Sequence, residues 1–267
     1  MSVALLLTLR LSTAASPAQL NEARVTALSK NVTVLSPQSR ARSAALNDRV
    51  TDNAIVRTGD QSHAELTFTN QSVARLWART IINVRDGARN LYLQDGAVFL
   101  QVPKGAEVTS IRAADVAAEI SGGSVVFQVH PKVFKFLVLE GTARLYHPDQ
   151  VGDSVLVSSG QLVFGTPKAN LSDPVDFDIS HFLKTSRFIT EFAPLRGGAS
   201  MASEIQKQQQ EKSNKTLIET NLVMYGGGTT VSVVGPGKTG TGSRASAKSP
   251  HRLHPKSPSP DLVNRSR

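Results

Sequence analysis

The sequence predicts a mainly β protein: an antiparallel β-sandwich, or a short β-solenoid of hairpins, with a C-terminal helix packed on it. Three observations predict this. Residues 91–165 hold four β-rich runs (LYLQDGAVFLQV, AAEISGGSVVFQVHP, KFLVLEGTARLYHP and VLVSSGQLVFGTP), each interrupted by glycine. The interruptions are Asp95-Gly96, Gly122-Gly123, Glu140-Gly141 and Ser159-Gly160, which read as hairpin turns because primed turns need positive φ. The run HAELTFT places Ala64, Leu66 and Phe68 on one side and Glu65, Thr67 and Thr69 on the other, the period of a half-buried strand. The glycines at 96, 122, 141 and 160 recur every 19 to 26 residues, which suits meandering or stacked β units.

The elements follow in order. Residues 1–18 read as a shortened secretory signal: an apolar run from Val3 to Leu9, then small residues at Ser12 to Ala15 and Ala18. The run is too short to span a bilayer, and no other segment is apolar enough to do so. Export implies a periplasmic or secreted location. A β domain is expected over residues 22–167. Val25–Leu35 is its first strand or strand pair, and Gly59 supplies a turn before HAELTFT. Asn70-Gln71-Ser72 turns the chain into VARLW, whose Trp77, the sole Trp, reads as a core or rim anchor. Residues 168–195 form a helical extension. Ile179, Phe182, Leu183, Ile189 and Phe192 have helical spacing, Asp178 or Ser180 offers a cap, and Pro194 stops the helix. Residues 196–234 are a polar segment: ASEIQKQQQEKSNK is helical but polar nearly all round, so it reads as exposed or marginally ordered. LVMY and TTVSVV beyond it are short β runs around Gly226-Gly227-Gly228. Residues 235–267 are rich in Pro, Gly, Ser, Lys and Arg and read as a disordered basic tail.

Composition narrows the chemistry. The absence of cysteine excludes disulfides, Cys-ligated zinc, thiol nucleophiles and an acylated lipoprotein Cys. The net charge of +9 is concentrated at the end, where residues 236–267 hold seven Lys/Arg against one Asp. The high charge therefore describes the tail and not a basic folded face. Lys238, Arg244, Lys248, Arg252 and Lys256 are candidate contacts to a polyanion through sequence-independent, salt-sensitive pairing. No aromatics interleave these cations, so base stacking and a nucleic-acid partner find no support.

Residues 24–167 resemble the FecR domain family. RTGDQSHAELTFTNQSVARLWART resembles its Thr-Gly, alternating Ala-x-Leu-x-Phe strand, turn and Arg-Leu strand. LQDGAVFLQVPKGAEVTSIRAADVAAEISGGSVVFQV resembles the Leu-x-x-Gly strand, the Val-Pro and the element usually ending in Gly-Thr. FLVLEGTARLY and VLVSSGQLVFGTP resemble the closing Val-x-x-Gly strand and the terminal Gly-Gln. Asn70-Gln71-Ser72 replaces the common Asp-Gly-Ser turn, and Gly122-Gly123-Ser124 replaces the Gly-Thr. The resemblance implies an extracytoplasmic β module that works by binding other proteins. FecR regulators of iron uptake carry a sigma-factor-binding region and a transmembrane helix before this domain. Here only some twenty residues precede it, which weakens an expectation of direct sigma-factor control.

Chemical motifs are weak. Gly235-Pro236-Gly237-Lys238-Thr239 lacks the first glycine of a phosphate loop, its place being Ser232, and TGTGSRAS after it will not open a helix. His130 and His147 end strands with Asp149 and Asp153 near the latter, a spacing short of the three or four converging ligands of a closed metal site. Asp173, Asp176 and Asp178 read as helix-start carboxylates rather than an acid–base pair. No catalytic residue, cofactor or metal is therefore assigned. The expected function is a non-catalytic exported module for a protein or envelope polymer. The alternatives are a signalling component working with a separate membrane anti-sigma partner and, third, an envelope-polymer hydrolase.

Overall fold

The computed structural model describes residues 22–195 and 199–237. The signal-like residues 1–18 and the polyanion candidates Lys238, Arg244, Lys248, Arg252 and Lys256 lie outside them. Fifteen strands form one sheet that folds over on itself without closing into a barrel. In chain order, β1 (Ala23–Ser29) and β2 (Val32–Leu35) flank a corner at Lys30, and β3 (Arg42–Ser43) and β4 (Arg49–Val50) are two-residue edge pieces. β5 (Ile55–Thr58) and β6 (His63–Phe68) flank a corner at Gly59–Gln61; β7 (Val73–Leu76) and β8 (Ile81–Arg85) flank another at Arg79. β9 (Asn90–Val102), β11 (Val116–His130) and β12 (Val133–Tyr146) are long, with β10 (Thr109–Ala113) between the first two. β13 (Ser154–Ser158), β14 (Gln161–Gly165) and β15 (Val175–Asp176) complete the sheet.

The long strands belong to both halves of the fold. The C-terminal half of β9 pairs with β7 and β11, and its N-terminal half with β8 and β10. β12 pairs with β14 through its first half and with β13 through its second. Two facing sheets result. The inner sheet runs β4-β1-β6-β7-β9-β11-β12-β14-β15, and the outer sheet β3-β2-β5-β8-β9-β10-β11-β12-β13. Pairing is antiparallel except between β9 and β10. This is the sandwich of the two expected architectures; stacked coils would pair successive strands in parallel. Between the sheets lies one apolar cluster built from alternate residues, among them Val25, Leu66, Ile82, Leu100, Phe127, Phe136 and Leu145.

The expected hairpin turns are corrected at all four sites. Asp95-Gly96, Gly122-Gly123 and Glu140-Gly141 lie inside β9, β11 and β12, where each strand bends from one sheet to the other. Ser159-Gly160 joins β13 to β14, which pair with β12 and not with each other, so it too is a bend. Both a turn and a bend need positive φ, so the glycine signal alone does not separate them. The need is steric at the crossing of β11 and β12. A Cβ on Gly123 (φ +126°) would stand 2.0 Å from the Glu140 carbonyl oxygen, and one on Gly141 (φ +82°) 2.4 Å from that of Gly122.

The outward face of the inner sheet is covered by α1 (Ile179–Thr185), α2 (Arg187–Thr190), α3 (Ala199–Ser213) and the hairpin β16 (Leu217–Gly226)–β17 (Thr229–Pro236). The expected single helix is split at Ser186, which ends α1 and starts α2. Phe177, Ile179, Phe182, Phe188, Val231 and Val233 cover Phe99, Val126, Leu137, Leu139 and Leu162. Asp178 caps α1, accepting from the His181 N–H at 2.9 Å. α3 is polar, as its sequence reads, and is tied down by side-chain bonds. Gln208 Nε2 donates to the Phe177 carbonyl (2.8 Å), its Oε1 accepts from the Ile179 N–H (3.1 Å), and Lys212 pairs with Asp178 at 2.6 Å. Burial pushes the Asp178 carboxyl up, but the bonds from Lys212 and His181 outweigh it and hold the group below its ordinary value. Arg75 clamps α2 from the sheet side. Its buried guanidinium donates to Glu65 (2.8 Å) and to the carbonyls of Phe188 (2.7 Å) and Ala193 (2.6 Å).

Candidate functional site

The outer sheet leaves its outward face open. Strand register aligns two rows of side chains there. One runs Asn83, Tyr92, Arg112, Ala117, Tyr146 and Ser154 across β8 to β13; the next runs Arg85, Asn90, Ser110, Glu119, Arg144 and Leu156. These residues face outward because their neighbours Ile82, Leu91, Ile111, Ala118, Leu145 and Val157 fill the interior. Arg85 lies over the Tyr92 ring (5.8 Å), and Arg144 over Tyr146 (5.1 Å). Arg144 approaches Glu119 at 3.9 Å and Arg112 approaches Asp149 at 3.5 Å. Burial first, then Glu119, pushes the Tyr146 phenol above its ordinary pKa. Tyr and Arg are the side chains enriched at protein interfaces, where they supply large, stiff contact area and forked donors.

The two rows end on an open strand. β13 pairs with β12 alone among the described strands. His147 N–H donates to the Asp153 carbonyl (3.1 Å) and Ser159 N–H to the Gly141 carbonyl (3.0 Å). Residues 153 and 159 therefore turn their backbone groups toward β12. By alternation, residues 154, 156 and 158 turn theirs toward the free side. The Gln161 side chain caps one of them, accepting from the Ser158 N–H at 3.0 Å. The strand reads SVLVS, with no charge and no proline, and Leu156 is 63% exposed. Natural edges are blunted by charge, proline or bulges, and this one is not.

The other sequence candidates fall elsewhere. His147 and His130 sit at opposite ends of β12 and do not meet. His147 Nδ1 pairs with Asp153 (2.7 Å) and fixes the loop before β13; His130 approaches Asp95 at 3.4 Å. No group of three or more His, Asp or Glu able to hold a metal occurs among the described residues. Asp173 is exposed in a loop, Asp176 is in β15 and Asp178 caps α1, so they do not share a site. Trp77 is a core anchor: nine-tenths buried, with Arg187 5.4 Å from its ring. Gly59 occupies its β5–β6 corner. Sequence reading missed Tyr92, Arg112, Tyr146 and Leu156. The period-2 pattern could have found them, since each alternates with a core residue, but placing hairpin turns inside β9, β11 and β12 broke the register that aligns them.

Residues 54–144 match the family described as FecR protein. Two crystal structures of candidate anti-sigma factors from Parabacteroides distasonis ATCC 8503 are found by comparison with solved structures. The first is 12% identical with a TM-score of 0.41, over 46% of this chain and 59% of that one. The second is 10% identical with a TM-score of 0.41, over 63% of this chain and 94% of that one. No curated protein matches the chain. Among the described residues, no helix is long and apolar enough to cross a membrane.

Proposed function

We propose, for a chain that carries a FecR domain at residues 54–144, a non-catalytic role in extracytoplasmic signalling: it holds a protein partner on the outer sheet. The partner adds a strand to β13 and rests side chains on the row formed by Tyr92, Arg112 and Tyr146. The carrying observation is the uncharged, unpaired β13 edge at the end of that row. An open row of N–H and C=O groups supplies main-chain affinity to an incoming strand, and the flanking side chains supply selectivity. The match of residues 54–144 to the FecR family supports signalling over turnover.

Leu156→Pro tests the reading. Its N–H faces the free side, so proline removes a donor from the edge and leaves the β12 bonds in place. Cross-linking in envelope extract should recover a partner with the wild-type chain, lose it with Leu156→Pro, and recover several-fold less with Tyr92→Ala. Equal recovery by a folded Leu156→Pro protein, or no recovery by the wild type, would overturn the proposal.

A further inference from the structure

The cover of the inner sheet leaves a groove beside the β16–β17 hairpin. The turn of the β16–β17 hairpin rests directly on the sheet: a Cβ on Gly227 would come 2.5 Å from Gln128 Cδ, and one on Gly228 2.8 Å from the Trp77 ring. Beside this contact the hairpin stands off β11, β12 and β14. The gap is a groove of about 450 Å³ with walls of Val133, Phe134, Phe164, Met224 and Tyr225. Its size and apolar lining are those of a small-molecule site.

Two buried polar groups line this groove. Lys135 is 7% exposed, and its Nζ donates to Thr229 Oγ1 at 2.8 Å. It has no ion pair among the described residues, and burial pulls the amine down to about 8. Gln128 is 6% exposed; its Nε2 lies 3.2 Å from His130 Nε2, and its Oε1 has no partner. Burying an ammonium without a counter-charge costs free energy, and so does an unsatisfied amide oxygen. Lys135 ties the hairpin through Thr229 and Gln128 lies under Gly227, but neither contact supplies a counter-charge to the amine. A half-turn of the Gln128 amide would let Oε1 accept from His130.

We propose that this groove binds an apolar monocarboxylate of the fatty-acid kind. The carboxylate sits on Lys135 Nζ, and the chain lies along Val133, Phe164 and Tyr225. A charge-assisted N–H···O bond to this buried amine would supply the counter-charge that Lys135 lacks. The site uses a different sheet from the partner-binding edge and stands or falls separately from it.

The test is calorimetric titration of the full chain at pH 7 with dodecanoate and, as an uncharged match, dodecanol. The wild type should bind dodecanoate at least tenfold more tightly than dodecanol. Lys135→Met should lose that preference and still bind dodecanol. Phe164→Asp gives a second arm. Residue 164 is the direct cross-strand partner of Lys135, so the new carboxylate would occupy the amine and abolish dodecanoate binding. Equal binding of the two probes by the wild type, unchanged dodecanoate affinity in Lys135→Met, or no binding of either probe would overturn the proposal.

Discussion

The inner and outer sheets are made from the same three long strands, yet their sequences read differently. In β9 the outer half, Asn90 to Gln94, alternates exposed or half-buried with buried residues. The inner half, Ala97 to Val102, is buried at every position but Gln101. β12 shows the same division, whereas the outer half of β11 is buried except at Glu119, its outward Ala117 being too small to stand clear of its neighbours. The cause is coverage. The inner sheet has the core on one side and the helices and hairpin on the other, so both sets of side chains must be apolar. The outer sheet has the core on one side only. A strand's hydrophobic pattern therefore reports what lies on its two faces, and one strand can change pattern where it changes sheet.

The largest test of this contrast stays within β9. Phe99 lies against Phe188 (centroids 6.4 Å apart) and near Arg75, sealed between sheet and helices. Phe99→Ala should cost about 3–5 kcal/mol of stability, the usual cost of emptying a buried aromatic site. Tyr92→Ala, on the open face of the same strand, should cost under about 1 kcal/mol. Urea denaturation of both variants measures the difference. Similar losses would mean that the outer face is as closely packed as the inner one.

The bends give the next effect. Gly123→Ala should destabilise by about 2 kcal/mol or more, because positive φ and a contact with the Glu140 carbonyl act together. Gly105 (φ +81°) has nothing within 4 Å of its hypothetical Cβ, so alanine there should cost only about 1 kcal/mol. Denaturation midpoints that rank the two the other way would remove steric crossing as the reason for glycine in β11.

These glycines also mark how far the sequence could be read. HAELTFT named its own buried face, and Ala64, Leu66 and Phe68 are indeed interior. The glycines named positions of positive φ. They could not say whether the chain reversed there or bent and went on, since that depends on which strand lies alongside. A reversal at Gly96 would start a new strand; the bend keeps Tyr92 and Phe99 in one strand on different sheets. The outer-face row was hidden for the same reason: Tyr92, Arg112 and Tyr146 come from three strands, and only pairing register brings them together. Lys135 was hidden differently. FKFLVL offers a lysine inside a strand, and nothing local says that a hairpin more than eighty residues later will bury it.

The smallest effect is a pH dependence whose sign differs between the sheets. In the inner sheet, Lys135 has its folded pKa at about 8, below the ordinary lysine value of ~10.4. Between these values the unfolded chain holds a proton that the folded chain has released. Stability contributed by this group therefore rises with pH across that window, at up to ~1.4 kcal/mol per pH unit. In the outer sheet, burial and Glu119 raise the Tyr146 pKa, so there the folded chain holds the proton longer. Its contribution is present below the unfolded phenol value of ~10 and is lost as pH rises through the folded one. Urea midpoints between pH 7 and 11 should climb first and then turn down. Lys135→Met should flatten the climb, and Tyr146→Phe should soften the descent. A climb that survives Lys135→Met would mean that the amine is better solvated than its 7% exposure implies, and the contrast between a sealed and an open sheet would lose its electrostatic half.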